Sequence, residues 1–513
     1  MKKRIFSLLL ALALLCTLLP QVTIPASAET YSGTCGAEGD GSNLTWTLDT
    51  ETGVLTITGS GAMAGYGWDE TPWHEYCETI QAVSLPDGMT SIGTSAFYNC
   101  TLLTSVTIPD SVINIGVSAF YNCSGLTSVT IPNETEIIDA FAFCGCTGLE
   151  NVAISDSVMQ IGSFAFAGCT SLKSMIIPDS VDCVPYCSFR DCTALTSVEI
   201  GNGATYIGEL AFFNCTGLKD LTMGSSVERI EADAFWNCTA LENLTLGVNL
   251  KSIANNVFCS CKSLTNVTIP DGVTNIATNA FADCSSLTRI LIPASVTSIG
   301  NTAFENCFVL SIYGYSDTVA QSFAEEYDIP FFLADCFADV TPSDYFFYPV
   351  MWAVNHEPQI TAGVGDGQFD PHNDCTREQI VTFLWAANGK PEPAGTGEAF
   401  SDVASDAWYY KPVTWAVENK ITSGMGDGRF GVGQSCTRAQ AMTFIWAANN
   451  KPEPSSMNSP FSDVTSGDWY YNAVLWAYEN GVTAGMGDGS FGAGNTCTRA
   501  QIITFLYKVY GQG

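Results

Sequence analysis

Between residues 100 and 307 of this 513-residue chain, a cysteine returns every 23 residues. A phenylalanine stands three residues before each of these cysteines, from Phe97 to Phe304. A fixed period in this range is typical of a solenoid, in which each repeat forms one coil and neighbouring coils share a buried core. The period therefore predicts a β-rich solenoid of about ten coils. Its column of cysteines is Cys100, Cys123, Cys146, Cys169, Cys192, Cys215, Cys238, Cys261, Cys284 and Cys307.

Each repeat also contains one short segment that alternates like a β-strand. In residues 128–132, Val129 and Ile131 are expected to point inward, and Pro132 ends the strand because proline cannot donate to the ladder. The segment around the phenylalanine and the cysteine is too short for a long helix, so we expect one turn of α-helix or 3-10 helix there. A strand spacing of about 4.8 Å makes ten coils roughly 50 Å long.

The regular spacing of the cysteines favours free thiols over disulfides, because a stacked column needs one small apolar side chain per coil and buried cysteine behaves as one. Cys144, Cys183, Cys187 and Cys259 lie off the column. For Cys35 and Cys77 two possibilities stay open. They form a disulfide near the N-terminus, or they are free.

From about residue 336 the period changes to roughly 61 residues. Three modules begin with FADV or FSDV at Phe337, Phe400 and Phe461, and later contain WA, GDG and CTR motifs. The sequences KPEPAGTGEA and KPEPSSMNSP join them, and their proline and small residues indicate linkers. Each module is predicted to form a helix, a glycine-rich loop and a second helix.

The CTR motif has the form of a helix capping box, with threonine at the N-cap and glutamine at the third helical position. The capping residues are Thr376, Thr437 and Thr498, with Gln379, Gln440 and Gln501. The arginines between them, Arg377, Arg438 and Arg499, are not needed for a cap, and their charge opposes the helix dipole. A guanidinium beside a helix N-terminus suits a carboxylate or phosphate. The alternative is an ion pair with a nearby acid, such as an aspartate of GDG.

Residues 1–28 have a basic start, an apolar run and the small residues Ala26 and Ala28, which is the pattern of a secretory signal peptide. Cys16 raises a lipoprotein alternative, although Leu15 before it is bulky. These residues hold three of the 19 basic residues and none of the 52 acidic ones, so the remainder has a formal charge of −36. That charge argues against nucleic acid and anionic lipid as partners. No later segment has the length and apolarity of a membrane span.

No motif of a known catalytic centre is present. The three histidines, His74, His356 and His372, are scattered, and no metal-ligand spacing or GxSxG motif occurs. The acidic loops do not fit the EF-hand pattern, which leaves calcium as a weak alternative. We therefore expect no enzyme activity, no cofactor and no metal site, with a cell-wall hydrolase as the least supported option.

The unit AFxxCxxLxxVxIPxxVxxIG resembles the BspA-type leucine-rich repeats of bacterial surface proteins. The resemblance covers residues 83–311, with an N-terminal hairpin cap at 29–82 and a C-terminal cap of helix and strand at 312–335. It implies adhesion-type binding of a protein or glycan. The outward strand positions offer hydroxyl groups, but threonine also simply suits an exposed strand. These positions include Thr107, Thr130, Thr222, Thr245 and Thr268.

The three modules, at 336–395, 396–456 and 457–513, resemble S-layer homology (SLH) modules, whose TRAE motif matches TREQ and TRAQ here. The resemblance implies a mainly helical, pseudo-threefold set of modules that binds pyruvylated secondary cell-wall polysaccharide of a Gram-positive-type bacterium. The residues implied in binding are Arg377, Arg438, Arg499, Trp408, Trp469, Asp366, Asp427, Asp488, Gln379, Gln440 and Gln501. Glutamine replaces the family's glutamate in each copy, and the first copy lacks the tryptophan, so its groove is expected to be the weakest.

Together these features predict an α+β multidomain protein, secreted and anchored at the cell surface, that displays its solenoid as an adhesin. The alternative is a structural surface-layer component whose solenoid packs against copies of itself.

Overall fold

The computed structural model describes residues 29–395 and 400–511. The predicted signal peptide at 1–28 lies outside the described residues. The chain divides into two compact units, and each is described by itself. The first holds residues up to 264 together with 276–286 and 300–307, and the second holds 265–275, 287–299 and the chain from 308 onward.

The first unit begins with an antiparallel sheet of β1 (Thr30–Thr34), β2 (Leu44–Asp49) and β3 (Val54–Ala62). The side chains of β2 alternate between buried and exposed, so one face covers the core. Its partner β3 pairs in parallel with β4 (Ala82–Ser84) and, further along, with β5 (Gly88–Ile92). The N-terminal sheet therefore covers the open end of the first coil. A short 3-10 helix, His74–Tyr76, lies between β3 and β4 in the chain.

Each coil contributes two short strands, one to each of two rows of parallel strands. The sequence predicted only one strand per coil. The first row continues with β6 (Ser105–Val106), β8 (Ser128–Thr130), β10 (Asn151–Ala153), β12 (Ser174–Ile177), β14 (Ser197–Ile200), β16 (Asp220–Met223) and β18 (Asn243–Thr245). The second continues with β7 (Asn114–Ile115), β9 (Ile137–Ile138), β11 (Gln160–Ile161), β13 (Cys183–Val184), β15 (Tyr206–Ile207), β17 (Arg229–Ile230), β19 (Ser252–Ile253) and β21 (Asn275–Ile276), whereas β23 (Ser298–Ile299) belongs to the second unit. The expected β-solenoid is confirmed.

The third side of each coil is a run of tight turns, so the expected helical turn there is wrong. In each coil from that of Phe97 to that of Phe281, two residues adopt the left-handed region, such as Ser95 (φ 55°) and Asn99 (φ 61°). This alternation aims every second backbone N–H at the next coil, as where Phe97 N–H donates to the Ala119 carbonyl at 2.8 Å. In a helix, these backbone N–H groups would donate within their own coil, and the carbonyl groups of the next coil would lose their hydrogen-bond partners.

The core of the first unit consists of two ladders. The buried phenylalanines from Phe97 to Phe304 stack with ring centroids 5.1–5.7 Å apart. From Cys123 onward, each column thiol approaches the carbonyl of the phenylalanine 26 residues earlier, at 3.1–3.6 Å. Cysteine thus fills the slot and also donates a weak hydrogen bond that alanine would lack.

Cys77 extends this column by one coil, because it lies 23 residues before Cys100. It is a buried free thiol whose Sγ lies 3.8 Å from the Trp73 carbonyl, and Cys35 is also buried and free. The possible disulfide between Cys35 and Cys77 is therefore not formed. Trp73 stacks on Phe97 at 6.0 Å and begins the aromatic ladder.

The second unit starts with a parallel sheet, β20 (Asn266–Thr268), β22 (Arg289–Leu291), β24 (Ser311–Gly314) and β25 (Phe331–Leu333), with helix α1 (Val319–Glu326) before the last strand. Six helices follow: α2 (Phe347–Asn355), α3 (Arg377–Ala387), α4 (Tyr410–Glu418), α5 (Arg438–Ala448), α6 (Tyr471–Glu479) and α7 (Arg499–Tyr510). Sheet and helices share one hydrophobic core. In it, Tyr348 of α2 lies edge-on to Tyr313 and under the Arg289 guanidinium, 4.4 Å from its ring centroid.

The six helices pack in pairs that cross module boundaries. The second helix of each module packs against the first helix of the next, which gives the pairs α3 with α4 and α5 with α6. The pair α7 with α2 joins the third module back to the first and closes the circle. Such pairing means that no module completes its core alone.

Candidate functional site: three grooves between the helical modules

The three CTR segments meet in a closed ring of backbone hydrogen bonds. Cys375 N–H donates to the Cys497 carbonyl, Cys436 N–H to that of Cys375, and Cys497 N–H to that of Cys436, at 2.8, 2.8 and 2.9 Å. All three side chains are buried, and burial raises the pKa of each thiol. This ring sets the three following helices around a pseudo-threefold axis.

The predicted capping boxes are present on α3, α5 and α7. On α5, the Gln440 side chain accepts from Thr437 N–H at 3.1 Å and Thr437 Oγ1 accepts from Gln440 N–H at 3.3 Å. Gln379 and Gln501 accept in the same way from Thr376 and Thr498. Glutamine serves this role as well as glutamate, so each glutamine carbonyl is already engaged within its own helix.

The N-terminal backbone donors of these helices are not free, which corrects the expectation of an open helix end. The amide of Arg438 donates to the Asn495 carbonyl at 2.8 Å, and that of Ala439 donates to the Ala493 carbonyl at 3.1 Å. Both carbonyls belong to the loop of the next module. The amides of Arg377 and Arg499 are engaged in the same way, by Gln434 and Asn373. An anion bound here must therefore depend on side chains.

The three arginines are buried, with 3–4% of each residue exposed. Each reaches into the following module and donates from Nε to a phenylalanine carbonyl: Arg377 to Phe430, Arg438 to Phe491 and Arg499 to Phe369, at 3.0, 2.8 and 2.9 Å. Each guanidinium also lies over two phenylalanine rings of that module, at 4.9–5.6 Å from the centroids. Each arginine therefore joins its own module to the following one: Arg377 joins the first to the second, Arg438 the second to the third, and Arg499 the third to the first.

The terminal nitrogens of these arginines keep hydrogen-bonding capacity. Arg438 Nη2 donates to Thr483 at 3.2 Å, whereas the buried Nη2 of Arg499 has no hydrogen-bond partner among the described residues. Within the same residues, no carboxylate forms an ion pair with any of the three. Burial lowers the pKa of each guanidinium, but arginine stays charged at any physiological pH. We call the place where each arginine meets the phenylalanines of the following module a groove, and each groove thus holds a partly desolvated positive charge.

Three aspartates that the sequence analysis did not single out hold the loops in place. Asp402, in the FSDV motif, accepts backbone N–H groups from Phe430, Gly431 and Val432 at 2.7, 2.8 and 3.0 Å. Its burial works to raise its pKa, but these three donors outweigh burial and lower it. Asp339 and Asp463 bind the corresponding loops. The recurrence of F-A/S-D-V in all three modules is the signal that could have identified them.

The exposed aromatic residues take equivalent positions in the three modules. Trp408 and Trp469 are 62% and 65% exposed, and Tyr345 of the first module is 66% exposed. Each lies edge-on to the aromatic residue that follows it, at 5.1–5.2 Å. Tyr345 is near enough to the guanidinium of Arg438 for that charge to act on its pKa, although burial dominates and raises it. The aromatic residue of the first module therefore lies on the side of Arg438, the arginine of the second module.

From the equivalent positions in the repeat, we expect Trp408 on the side of Arg499 and Trp469 on the side of Arg377. The groove of Arg438 thus draws on all three modules: Tyr345 comes from the first, Arg438 from the second, and Phe491 and Phe505 from the third. The substitution of tryptophan by tyrosine in the first module thus affects the groove of Arg438.

The aspartates of the GDG motifs lie in turns at the loop tips. Asp427 pairs with Arg429 at 2.6 Å, and Asp488 accepts from Ser490 N–H at 2.9 Å. Asp366 adopts the left-handed region, with φ 50°. Among the described residues, none of these three aspartates forms a hydrogen bond or ion pair with Arg377, Arg438 or Arg499, so the GDG carboxylates are not the partners of the arginines.

Within residues 29–395 and 400–511, no three histidine, cysteine or acidic side chains are grouped closely enough to hold a metal ion. None of the helices in this part of the chain has both the length and the apolarity to cross a bilayer. A groove of about 600 Å³ lies at the far ends of α3, α4 and α5, lined by Asn388, Trp415 and Glu418 among others, and contains none of the predicted site residues.

Comparison with protein families matches residues 73–196 and 184–311 to the BspA type leucine rich repeat region, in six copies. Residues 337–381, 399–442 and 460–503 each match the S-layer homology domain. The recognised resemblance is confirmed in both halves of the chain.

Similar proteins include a cell surface protein of Thermoanaerobacter kivui, 34% identical over 116 residues, which are 22% of this chain and 15% of that protein. The S-layer protein sap of Bacillus anthracis is 29% identical over 117 residues, 23% of this chain and 14% of its own length. The matches thus span about a seventh of these relatives. Among solved structures, a leucine rich cell surface protein of Faecalibacterium prausnitzii is 28% identical, with a TM-score of 0.31, over 58% of this chain and 98% of that one.

Proposed function

We propose that this protein, which joins a BspA-type leucine-rich repeat region to three S-layer homology domains, is held non-covalently at the cell wall and displays its solenoid outward. The observations that support the proposal are the three buried arginines that have no ion-pair partner among the described residues and the one exposed aromatic residue that each module carries. The names of the relatives, a cell surface protein and S-layer proteins, support the same location.

The ligand that we propose for the grooves is secondary cell-wall polysaccharide with pyruvyl groups, on a Gram-positive-type wall. A pyruvyl carboxylate suits the guanidinium, whose planar fork can bind two carboxylate oxygens. A sugar ring suits the apolar surface of Trp408 or Trp469. Long-range electrostatics oppose this binding because the whole chain has a formal charge of −33, so attraction has to come from direct contact. Three linked grooves then add avidity.

For the solenoid we propose an adhesin-like role, in which its surface binds a protein or a glycan outside the cell. A surface-layer component is the second candidate, and the S-layer proteins among the relatives favour it. Sheets formed by the purified protein under an electron microscope would support that candidate over the first. We assign no catalytic activity to the chain.

The test of anchoring is co-sedimentation of the intact protein with purified cell wall, before and after chemical removal of pyruvyl groups. We expect depyruvylation to release most of the wild-type protein. Arg438→Lys with Arg499→Lys retains both charges but loses the fork, and we expect binding to fall at least about tenfold. Lys411→Ala is the matched control, because it removes one exposed positive charge outside the grooves.

Circular dichroism must show that the double variant is folded. If a folded double variant sediments like the wild type, or if depyruvylation has no effect, the arginines only join the modules and the proposed ligand is wrong.

A further inference from the structure

One edge of the solenoid carries apolar side chains that its core does not use. They project from the turns of successive coils, outside the buried Phe and Cys ladders, and are partly or largely exposed. We call this group the aromatic patch: Phe141, Phe164, Tyr186, Leu210, Phe213 and Trp236. Equivalent positions in later coils carry smaller or polar residues, such as Asp233, Asn256 and Ala282.

Three patch residues adopt a backbone conformation that disfavours them. Phe141, Phe164 and Leu210 have φ of 57°, 58° and 58°, in the left-handed region. Bulky side chains rarely adopt this region, whereas asparagine and aspartate tolerate it. Six other coils place Ser95, Ser118, Cys187, Asp233, Asn256 and Asn279 at this position. Strained residues persist mainly where function requires them, and here they expose apolar surface that folding alone would not select.

The patch spans five successive coils and contains two groups of contacting rings. Phe141 stacks on Phe164 at 4.7 Å, and Tyr186 lies edge-on to Phe164 at 5.3 Å. Phe213 and Trp236 form a perpendicular pair at 5.6 Å, and the Arg190 guanidinium lies 5.0 Å above the Phe213 ring. Tyr186 and Trp236 are 42% and 37% exposed. Aromatic side chains beside an arginine are the composition that dominates binding energy in protein interfaces.

The surroundings of the patch are negatively charged. Arg190 is compensated by Asp191 at 3.1 Å. Glu209 takes the place of Tyr186 in the next coil, and in the coil after that Glu231 directly precedes the equivalent position, Ala232, in the same segment as Trp236. In the part of the chain that the structure describes, neither glutamate has an ion-pair partner. A partner with basic side chains at its rim would complement this charge.

We propose that the aromatic patch is a docking surface for a protein segment that presents lysine or arginine beside aromatic or aliphatic side chains. This inference rests on the proposed display of the solenoid and identifies which of its surfaces binds and what chemistry it recognises. The apolar side chains of the partner cover the rings, and its cations meet Glu209 and Glu231. A second copy of this chain is disfavoured as the partner, because each copy has a formal charge of −33.

The probe is a phage-displayed library of random peptides, selected on the intact protein and counter-selected on a Tyr186→Ala/Trp236→Ala variant. We expect the selected peptides to be rich in lysine or arginine and in tryptophan or leucine. Their affinity should fall about tenfold or more for the variant and should also fall as salt is added. Thr222→Ala, on the exposed strand face, is the control and should leave affinity unchanged.

Leu210→Asn separates binding from folding. Asparagine suits the left-handed conformation, so we expect a melting temperature equal to or above that of the wild type, together with weaker peptide binding. A lower melting temperature would show that Leu210 serves the fold. Failure to enrich any peptide, or equal binding to the double variant, would overturn the proposal. Binding to a glycan array that the double variant loses would also overturn it, in favour of a carbohydrate partner. Wall sedimentation of the same variants should not change, so failure here is distinguishable from failure of the anchoring proposal.

Discussion

The solenoid and the helical modules are both built from repeats, but the repeats are related by different operations. Each coil is related to the next by translation, so every contact recurs 23 residues later and the stack has two ends that need covering, as β1–β3 cover the first coil. The modules are related by rotation, so Arg499 of the third contacts Phe369 of the first and no end remains. The stability of the open solenoid therefore depends on its Phe and Cys ladders, and that of the closed set of modules depends on the contact between the third module and the first.

The largest difference in stability between the solenoid and the modules is expected at alkaline pH. Burial raises the pKa of the inner column thiols, for example that of Cys146, Cys192 and Cys238 to about 12. A thiol that stays neutral when folded but ionises when unfolded stabilises the fold fully below its unfolded pKa and loses this contribution as pH rises. Each such thiol should lower the free energy of unfolding by about 1.4 kcal/mol per pH unit between about 9 and 12.

The solenoid holds many such thiols, whereas the modules hold four, Cys336, Cys375, Cys436 and Cys497, so the solenoid should unfold first as pH is raised. Hydrogen exchange followed by mass spectrometry can locate the loss. The double variant Cys215→Ala/Cys238→Ala lacks two of these thiols. Its free energy of unfolding should therefore fall less steeply with pH, by the contribution of two protons. Simultaneous loss of both regions, or no loss in this range, would contradict the ladder of neutral thiols.

Loss of one ring from the aromatic ladder should have the next largest effect. Phe212 is fully buried and stacks on Phe189 and Phe235, both at 5.1 Å. Phe212→Ala should lower the free energy of unfolding by about 3–5 kcal/mol. Thr222→Ala, on the exposed strand, should cost less than about 0.5 kcal/mol. Urea denaturation measures both, and equal losses would show that the ladder is not the core.

Loss of one of the arginines that join the modules should lower the free energy of unfolding by less than loss of Phe212 does. Its effect should nevertheless extend over all three modules. Arg438→Ala removes the bond to the Phe491 carbonyl and the contacts with two rings, for about 2–3 kcal/mol. Because the ring is closed, faster hydrogen exchange should reach α2, α3 and α7 as well as α5, while the coils before residue 264 remain protected. Changes confined to α5 would mean that the modules are independent.

The smallest effect is expected at acidic pH. The pKa of Asp402 is lowered, so its contribution to stability is present above its unfolded pKa, near 4, and is lost as pH falls below that. Asp402 is partly exposed, so we expect about 1 kcal/mol or less. Asp402→Asn should flatten the acid limb of the modules' unfolding curve without changing that of the solenoid. An unchanged curve would exclude a role for this carboxylate in holding the loop.

The two regions also differ in how far their sequence anticipated them. The period of 23 predicted the solenoid and its buried Phe and Cys columns, because a translational repeat places each residue beside its own copy. The left-handed turn residues, Asn99 and its equivalents, escaped notice, since their pattern of Asn, Asp, Gly and Ser does not by itself distinguish an alternating turn from a helical one. Cys77 was missed because the rest of its coil departs from the consensus.

In the modules, the sequence determined the helices and their capping boxes, because Thr437 and Gln440 are three residues apart and their bonds are local. It did not determine where the arginine side chains point. The carbonyl that receives Arg438 lies 53 residues further along, and that of Arg499 lies 130 residues earlier. Which module pairs with which, and therefore which aromatic residue faces which arginine, depends on how the chain closes on itself. Closure is a property of all six helices packed together, and no local pattern encodes it.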